Sequence, residues 1–196
     1  LTKPRLIATG FWFPATPPTQ PSPRPLLVAL LQDEIPTHLG AKEQLIHLLK
    51  RWAREQTDWT IVLQPDHPWS STPSLASGNT NDPTNVVEAA PEQLLGLLSR
   101  CTACLSVSSP WSLVAMMWGR TPVIVGDYGI QAEQRTTHFF GCGAMHRLRD
   151  LGGLHNLQGL PLVNQGWLEA MGGRIQDGPA RLLVALDSLR PGGTAP

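Results

Sequence analysis

Residues 97–128 read LLSRCTACLSVSSPWSLVAMMWGRTPVIVGDY, and this stretch decides the fold. It parses as the end of a helix, a buried strand, a small polar turn, a second helix and a second buried strand. Residues 105–107 and 122–125 are short β-prone apolar runs of the kind that a sheet covered on both faces requires. Between them, residues 113–118 are apolar nearly all round, and Ser108, Ser109, Pro110 and Ser112 supply a helix start with a first-turn proline. Two strands joined through such a helix lie parallel with a right-handed crossover, which aims the helix N-terminus above the sheet. Free backbone N–H groups at that point, with hydroxyls beside them, make a ready site for an anion. Ser108 and Ser109 therefore carry two readings that the stretch leaves open: they cap the helix, or they hold a phosphate.

The flanking segments repeat the alternation. Residues 26–31 form a buried strand, and a helix over about 40–56 carries Leu45, Ile46, Leu48, Leu49, Trp52 and Ala53 on one stripe, with Lys42, Glu43, Lys50, Arg51, Arg54 and Glu55 outside it. Residues 60–63 form the next buried strand and 85–89 a short one; Pro91 and Glu92 then start a helix bearing Leu94, Leu95, Leu97 and Leu98. This order predicts an α/β, Rossmann-like three-layer domain with a mostly parallel sheet. Downstream, 132–140 reads as helix, 141–143 ends it, and 144–151 makes a further turn or two. Residues 160–165 read as irregular, with Trp167 and Leu168 as anchors, and 179–189 as a closing helix with Leu182, Leu183, Ala185 and Leu186. Upstream, 5–13 suggests a strand ending at Gly10, and prolines at 14, 17, 18, 21, 23 and 25 make a semi-rigid linker or hinge. The expected division is a strand and linker over 1–25, a Rossmann-like folded domain over 26–190, and a disordered tail over 191–196.

Composition narrows the class. A chain of 196 residues holds one domain with a substantial core, and its first residue, Leu1 rather than Met, leads us to expect a fragment of something longer. Fifteen basic residues balance fifteen acidic ones without a basic run, so the electrostatic footprint of a nucleic-acid binder is missing. No apolar run approaches a bilayer span, so a soluble, cytoplasmic piece is expected. Three cysteines, Cys101, Cys104 and Cys142, make no disulfide framework. Cys101-x-x-Cys104 matches half of a zinc or redox motif, with His138, Cys142 and His146 downstream. Gly141 and Gly143 break any helix that would align those, and Cys104 falls in a buried strand, so core thiols rather than a metal site are expected.

Two further places stand at strand ends, where open parallel sheets bind their ligands. Gln64-Pro65-Asp66-His67-Pro68-Trp69 follows the strand at 60–63; His67 is either an exposed residue of a proline turn or a group that reaches the Ser108–Ser109 turn. The Ser, Thr, Asn, Gly and Pro of 70–84 mark a surface loop bordering that place. Gly126-Asp127-Tyr128-Gly129-Ile130 follows the strand at 122–125, and Asp127 either accepts from a ribose or sugar hydroxyl or caps the next helix.

The segments LQPDHP and VVEAAPEQLLGLLSRCTACLSVSSPWSLVAMMWGRTPVIVGDYGI, separated by a polar loop, resemble the carboxyl-terminal, donor-binding half of GT-B glycosyltransferases. The likeness is to bacterial sialyl-, polysialyl- and capsule-type transferases, which pair a His-Pro motif with a Ser-Ser motif. It is more specific to a bacterial group of glycosyltransferases of unestablished substrate, in which an Asp-Phe-Gly-Val-like stretch corresponds to Asp127-Tyr128-Gly129-Ile130 and which TGFWFPA and QDEIPT also suit. It spans about 9–168 and is strongest over 94–143.

The resemblance implies one half of a GT-B fold, its N-terminal half missing, acting in inverting, metal-independent transfer from a nucleotide sugar, CMP-linked, to a glycan acceptor. It implies no cofactor, and a place in polysaccharide biosynthesis in the bacterial cytoplasm or at the inner face of the membrane. It implies donor contacts from Gly10, Gln64, His67, Pro68, Ser108, Ser109, Ser112 and Asp127, with His67 able to protonate the leaving phosphate. Two departures stand out. Val114 occupies the place of a ribose-holding glutamate, and the common Lys-Pro-His-Pro form is here Gln64-Pro65-Asp66-His67-Pro68. The general base of such enzymes belongs to the other half, so none is named. The alternatives are a nucleotide-sugar epimerase, a glycerophosphate-type transferase, or a non-catalytic degenerate module that holds a nucleotide or a protein.

Overall fold

The computed structural model describes residues 12–13, 16–38, 40–65, 82–173 and 178–188. Among the described residues six strands form one sheet: β1 (Leu26–Leu31), β2 (Thr60–Pro65), β3 (Val86–Glu88), β4 (Ala103–Ser106), β5 (Thr121–Val125) and β6 (Met145–His146). Their order is β3-β2-β1-β4-β5-β6, and every pairing is parallel. The chain steps from β1 out to β2 and β3, then returns past β1 to lay down β4, β5 and β6. Its direction across the sheet thus reverses between β1 and β4. Leu30 pairs with both Gln64 and Ser106, so β1, β2 and β4 end level at one edge.

The described residues also form six α-helices: α1 (Ala41–Glu55), α2 (Leu94–Arg100), α3 (Trp111–Met117), α4 (Leu148–Leu151), α5 (Gln165–Ala170) and α6 (Gly178–Ser188). The alternation of side chains along β1 assigns the layers. Leu27, Ala29 and Leu31 join Leu45, Ile46, Leu49, Trp52 and Ala53 of α1 in one core. Leu26, Val28 and Leu30 join Leu94, Leu97 and Leu98 of α2 and Val114 and Ala115 of α3 in another. Because right-handed crossovers run outward on one side of β1 and the opposite way on the other, the helices must cover opposite faces. The α/β, Rossmann-like three-layer architecture is therefore the one that the alternation of apolar runs predicts.

Element bounds agree within about two residues for β1, β2, β3, β4, β5, α1 and α6. Elsewhere the structure differs. Residues 132–140 are turns with a single 3₁₀ segment, Thr136–Phe139, because Gln134 and Thr136 spend their side chains on loop backbone instead of leaving the chain free to wind. The stretch expected as a turn or two at 144–151 contains β6, which pairs with Ile124 and Val125 before α4 begins. On α6 only Ala185 among the four named apolar residues is buried, while Leu183 and Leu186 are exposed. Part of the proline linker lies against the body: Ser22 N–H donates to the Arg100 carbonyl at 2.9 Å, and Thr19 and Ser99 share a hydroxyl contact. Among the described residues no helix is long and apolar enough to cross a membrane.

At the sheet's edge, His146 has a buried Nε2 with no hydrogen-bond partner among the described residues, and burial holds its imidazole below the ordinary 6.5. A histidine depressed in the fold binds more protons when the chain unfolds. Its penalty is absent above about pH 6.5 and grows as pH falls through that value toward the lower folded pKa. Melting temperature is expected to decline on acidification from about pH 7 to about pH 5.5, and His146→Gln to shrink that decline. Parallel profiles for the two proteins would show that His146 takes up its proton equally in the folded and unfolded states.

Candidate functional site

Where the order of a parallel sheet reverses, the loops leaving the two central strands diverge and open a crevice. Here those loops follow β1 and β4. Two cavities of about 320 and 330 Å³ lie there. The first is walled by Ser108, Leu113, His138, Phe139 and Met171, the second by Asp33, Glu34, Ile35 and Trp111, and both share Gln32, Pro110 and Arg135.

The two loops are joined directly. The Gln32 side-chain oxygen accepts from the Ser108 N–H at 3.0 Å and from its hydroxyl at 3.3 Å. With Oε1 committed, the Gln32 amide NH₂ is the face left for the cavities that it lines. Lys42, in the first turn of α1, donates to the Asp33 carbonyl at 2.7 Å and steadies the same loop.

The open row of N–H donors expected at the start of α3 is not what the structure supplies. Ser108 N–H goes to Gln32, Ser109 N–H to the Ser106 hydroxyl at 3.3 Å, and Trp111 N–H to the Ser109 hydroxyl at 3.4 Å. Ser112 and Leu113 N–H groups go to the carbonyls of Ser109 and Pro110. The cause is the run of small hydroxyl side chains, which turn inward and satisfy the orphan amides locally. Ser112 is likewise committed, 2.7 Å from Ser106 in a buried pair. Donors that face the cavities are therefore side chains.

One of them is held in an unusual conformation. Arg135 has φ 55° and ψ 16°, the left-handed region, which costs a residue with a Cβ about 1–2 kcal/mol. Its neighbours impose it. Gln134 is fully buried; its Oε1 accepts from Thr37 N–H at 3.2 Å, and its Nε2 lies 2.6 Å from the Thr37 hydroxyl and 3.1 Å from His38 Nδ1. The Thr136 hydroxyl accepts from Gln131 N–H at 3.0 Å and donates to the Gly129 carbonyl at 2.9 Å. Tyr128 donates to the Ala41 carbonyl at 3.2 Å, and burial, then the nearby Asp127 charge, raises its phenol pKa, so the donor proton stays in place. Arg135 is thus pinned from both sides, exposed, and without a side-chain partner among the described residues.

The residues singled out from the sequence scatter. Ser108 lines the first cavity. Ser109 and Ser112 are enclosed beneath it. Gln64 is fully buried, donates to the carbonyls of Pro65 at 2.9 Å and Ala90 at 3.4 Å, and lines neither cavity. Asp127 accepts from Leu148 N–H at 2.8 Å, holding the first turn of α4. Gly10, His67 and Pro68 lie outside the described residues. Val114 is 1 % exposed and packs in the core of the α2–α3 face. Burial pushes the Cys101 thiol up to about 12, against a smaller opposing pull from Arg120, and holds Cys104 well above the ordinary thiol value, so both are inert core groups. Sequence reasoning missed Gln32 and Arg135. The first stood in plain view at a strand's carboxyl end; the second was hidden inside an expected helix.

A family profile described as "Putative glycosyltransferase (DUF6716)" matches residues 2–172. Among solved structures, the calicheamicin glycosyltransferase CalG4 is similar at TM-score 0.53 and 18% identity, over 88% of this chain and 44% of that one. A putative UDP-N-acetylglucosamine 2-epimerase from Listeria monocytogenes is similar at TM-score 0.56 and 14% identity, over 89% of this chain and 48% of that one. The chain spans about half the length of these structures, and the likeness is one of fold. No sequence among the curated proteins matches it.

Replacing Gln134 by Leu removes the bonds that join the loops after β1 and β5 and leaves the Thr37 N–H without its acceptor. Stability is expected to fall by about 1–3 kcal/mol in denaturant titration. Amide exchange should quicken at 37–38 and 129–136 while β1 and β2 stay protected. Unaltered protection in both loops would mean that packing alone holds them.

Proposed function

This chain belongs to the DUF6716 family, and on that footing we propose that it is the donor-binding half of a glycosyltransferase, seating the phosphate of a nucleotide sugar over the crevice between β1 and β4. The observation that carries the reading is the bridge from Ser108 to Gln32, which fixes polar groups at the sheet's reversal point with a cavity on either side. In such a transfer the acceptor oxygen attacks the anomeric carbon, the bond from that carbon to the donor phosphate breaks, and the phosphate oxygen keeps the electron pair. The acceptor's proton passes to a base. Groups already aimed at the phosphate stabilise the charge that develops there without reorganising. The base and most acceptor contacts belong, in this reading, to a partner half outside this chain.

The nucleotide is CMP in the first instance, on the strength of the paired His-Pro and Ser-Ser motifs, and His67 is the group assigned to protonate or share a proton with the leaving phosphate. The donor supply and the reaction are placed in the cytoplasm. A binding module without turnover is the second reading; the core position of Val114, where the resembling enzymes carry a ribose-holding glutamate, favours it.

Titration calorimetry of the chain with CMP, CDP, UDP and GDP is expected to show at least one dissociation constant between micromolar and millimolar. Ser108→Ala should weaken that binding by about 1–3 kcal/mol. Silence for all four nucleotides ends the donor-site reading, and an unchanged constant for the variant moves the phosphate away from β4. Sugar transfer by the full-length protein, with loss on His67→Ala, separates the enzyme from the silent module.

A further inference from the structure

We propose that Arg135 is the cation that grips the donor's phosphate linkage, at the wall shared by the two cavities. The inference rests on the donor-site reading and names the residue that gives the site its charge. Three observations converge on it. The amides at the start of α3 are already bonded within the protein, so an incoming phosphate finds no free row of N–H groups there. Arg135 lines both cavities and has no side-chain partner among the described residues, whereas Asp33 and Glu34 add negative charge to the second cavity alone. Its backbone sits in a left-handed conformation that glycine or asparagine adopts with less strain.

A bulky residue kept in a strained conformation that its surroundings over-determine marks a functional position. Gln134 and Thr136 supply that over-determination through bonds to loops on both sides. A molecule with one body in each cavity crosses the wall made by Gln32, Pro110 and Arg135, and the chemistry at the crossing selects an anionic link. A sugar joined to a nucleoside through phosphate has that form. The planar guanidinium offers two parallel N–H donors to phosphate oxygens, a match that a neutral side chain does not make.

Arg135→Gly and Arg135→Asn separate charge from strain, since both suit the left-handed backbone, and Arg135→Lys keeps the charge. Each is made in the full 196-residue chain and titrated with inorganic pyrophosphate and with CMP, CDP, UDP and GDP, beside a thermal melt. The glycine and asparagine variants are expected to melt no lower than the parent yet to bind both probes at least tenfold more weakly, with the lysine variant in between. Binding as tight as the parent's in the first two variants overturns the proposal and leaves the donor site standing. Arg135-dependent binding of pyrophosphate with no nucleotide bound upholds the phosphate grip and ends the donor reading. No binding of either probe by the parent ends both. A melting temperature well below the parent's in both variants would make Arg135 a structural residue and overturn the proposal.

Discussion

Two hydrogen bonds from Ser108 to the side-chain oxygen of Gln32 join loops that the topology would otherwise let diverge. β1 and β4 are neighbours in the sheet but 76 residues separate this pair in the chain, and the connections leaving them run to opposite faces. Without the bridge, the crevice would be a gap between two independent loops. With it, the gap becomes a floor with one amide face free and a cavity on each side. The bond is available only because Leu30 pairs with both Gln64 and Ser106, which brings the ends of three strands level.

The second constraint is a web of side-chain bonds from the loop after β5 to the loop after β1. Gln134 reaches Thr37 and His38, and Tyr128 reaches the first residue of α1. None of these bonds is worth much by itself, on the order of 1 kcal/mol. Together they oppose the cost of placing Arg135 in a left-handed turn, which is of similar size. The cross-bonded loops thus fix the backbone from which one charged side chain projects.

How much of this was legible in the sequence depended on range. β1 and β2 declared themselves as continuous apolar runs, Leu26–Leu31 and the three residues 61–63, and α1 because its apolar residues recur at the helix period over 15 residues. β6 has two residues and no apolar run, so its existence depends on the edge offered by β5. The segment 132–140 has helical composition, yet the side chains of Gln134 and Thr136 found backbone partners elsewhere, one of them 97 residues away. A pattern read along the chain cannot contain that bond. The serines behaved the same way: their identity announced polar chemistry at a strand's end, but whether each hydroxyl faced a ligand or the interior depended on Ser106 and Gln32. Of the residues proposed from the motifs, Ser108 lies in the crevice, while Gln64 and Asp127 serve the scaffold.

A site that depends on side chains from three loops differs physically from one built on a helix terminus. Helix-end amides present a fixed, weak, diffuse field, and here they are satisfied within the protein before any ligand arrives. What remains lining the first cavity is a neutral amide, a hydroxyl, an imidazole and one guanidinium, supplied by the loops after β1, β4 and β5, while the carboxylates of Asp33 and Glu34 line the second. Such a set is adjustable, because one loop can change its residue without unravelling a helix. It is also preorganised, because the loops are cross-bonded whether or not a ligand is present. Those two properties together let one parallel sheet carry different sites while the strands beneath it stay the same.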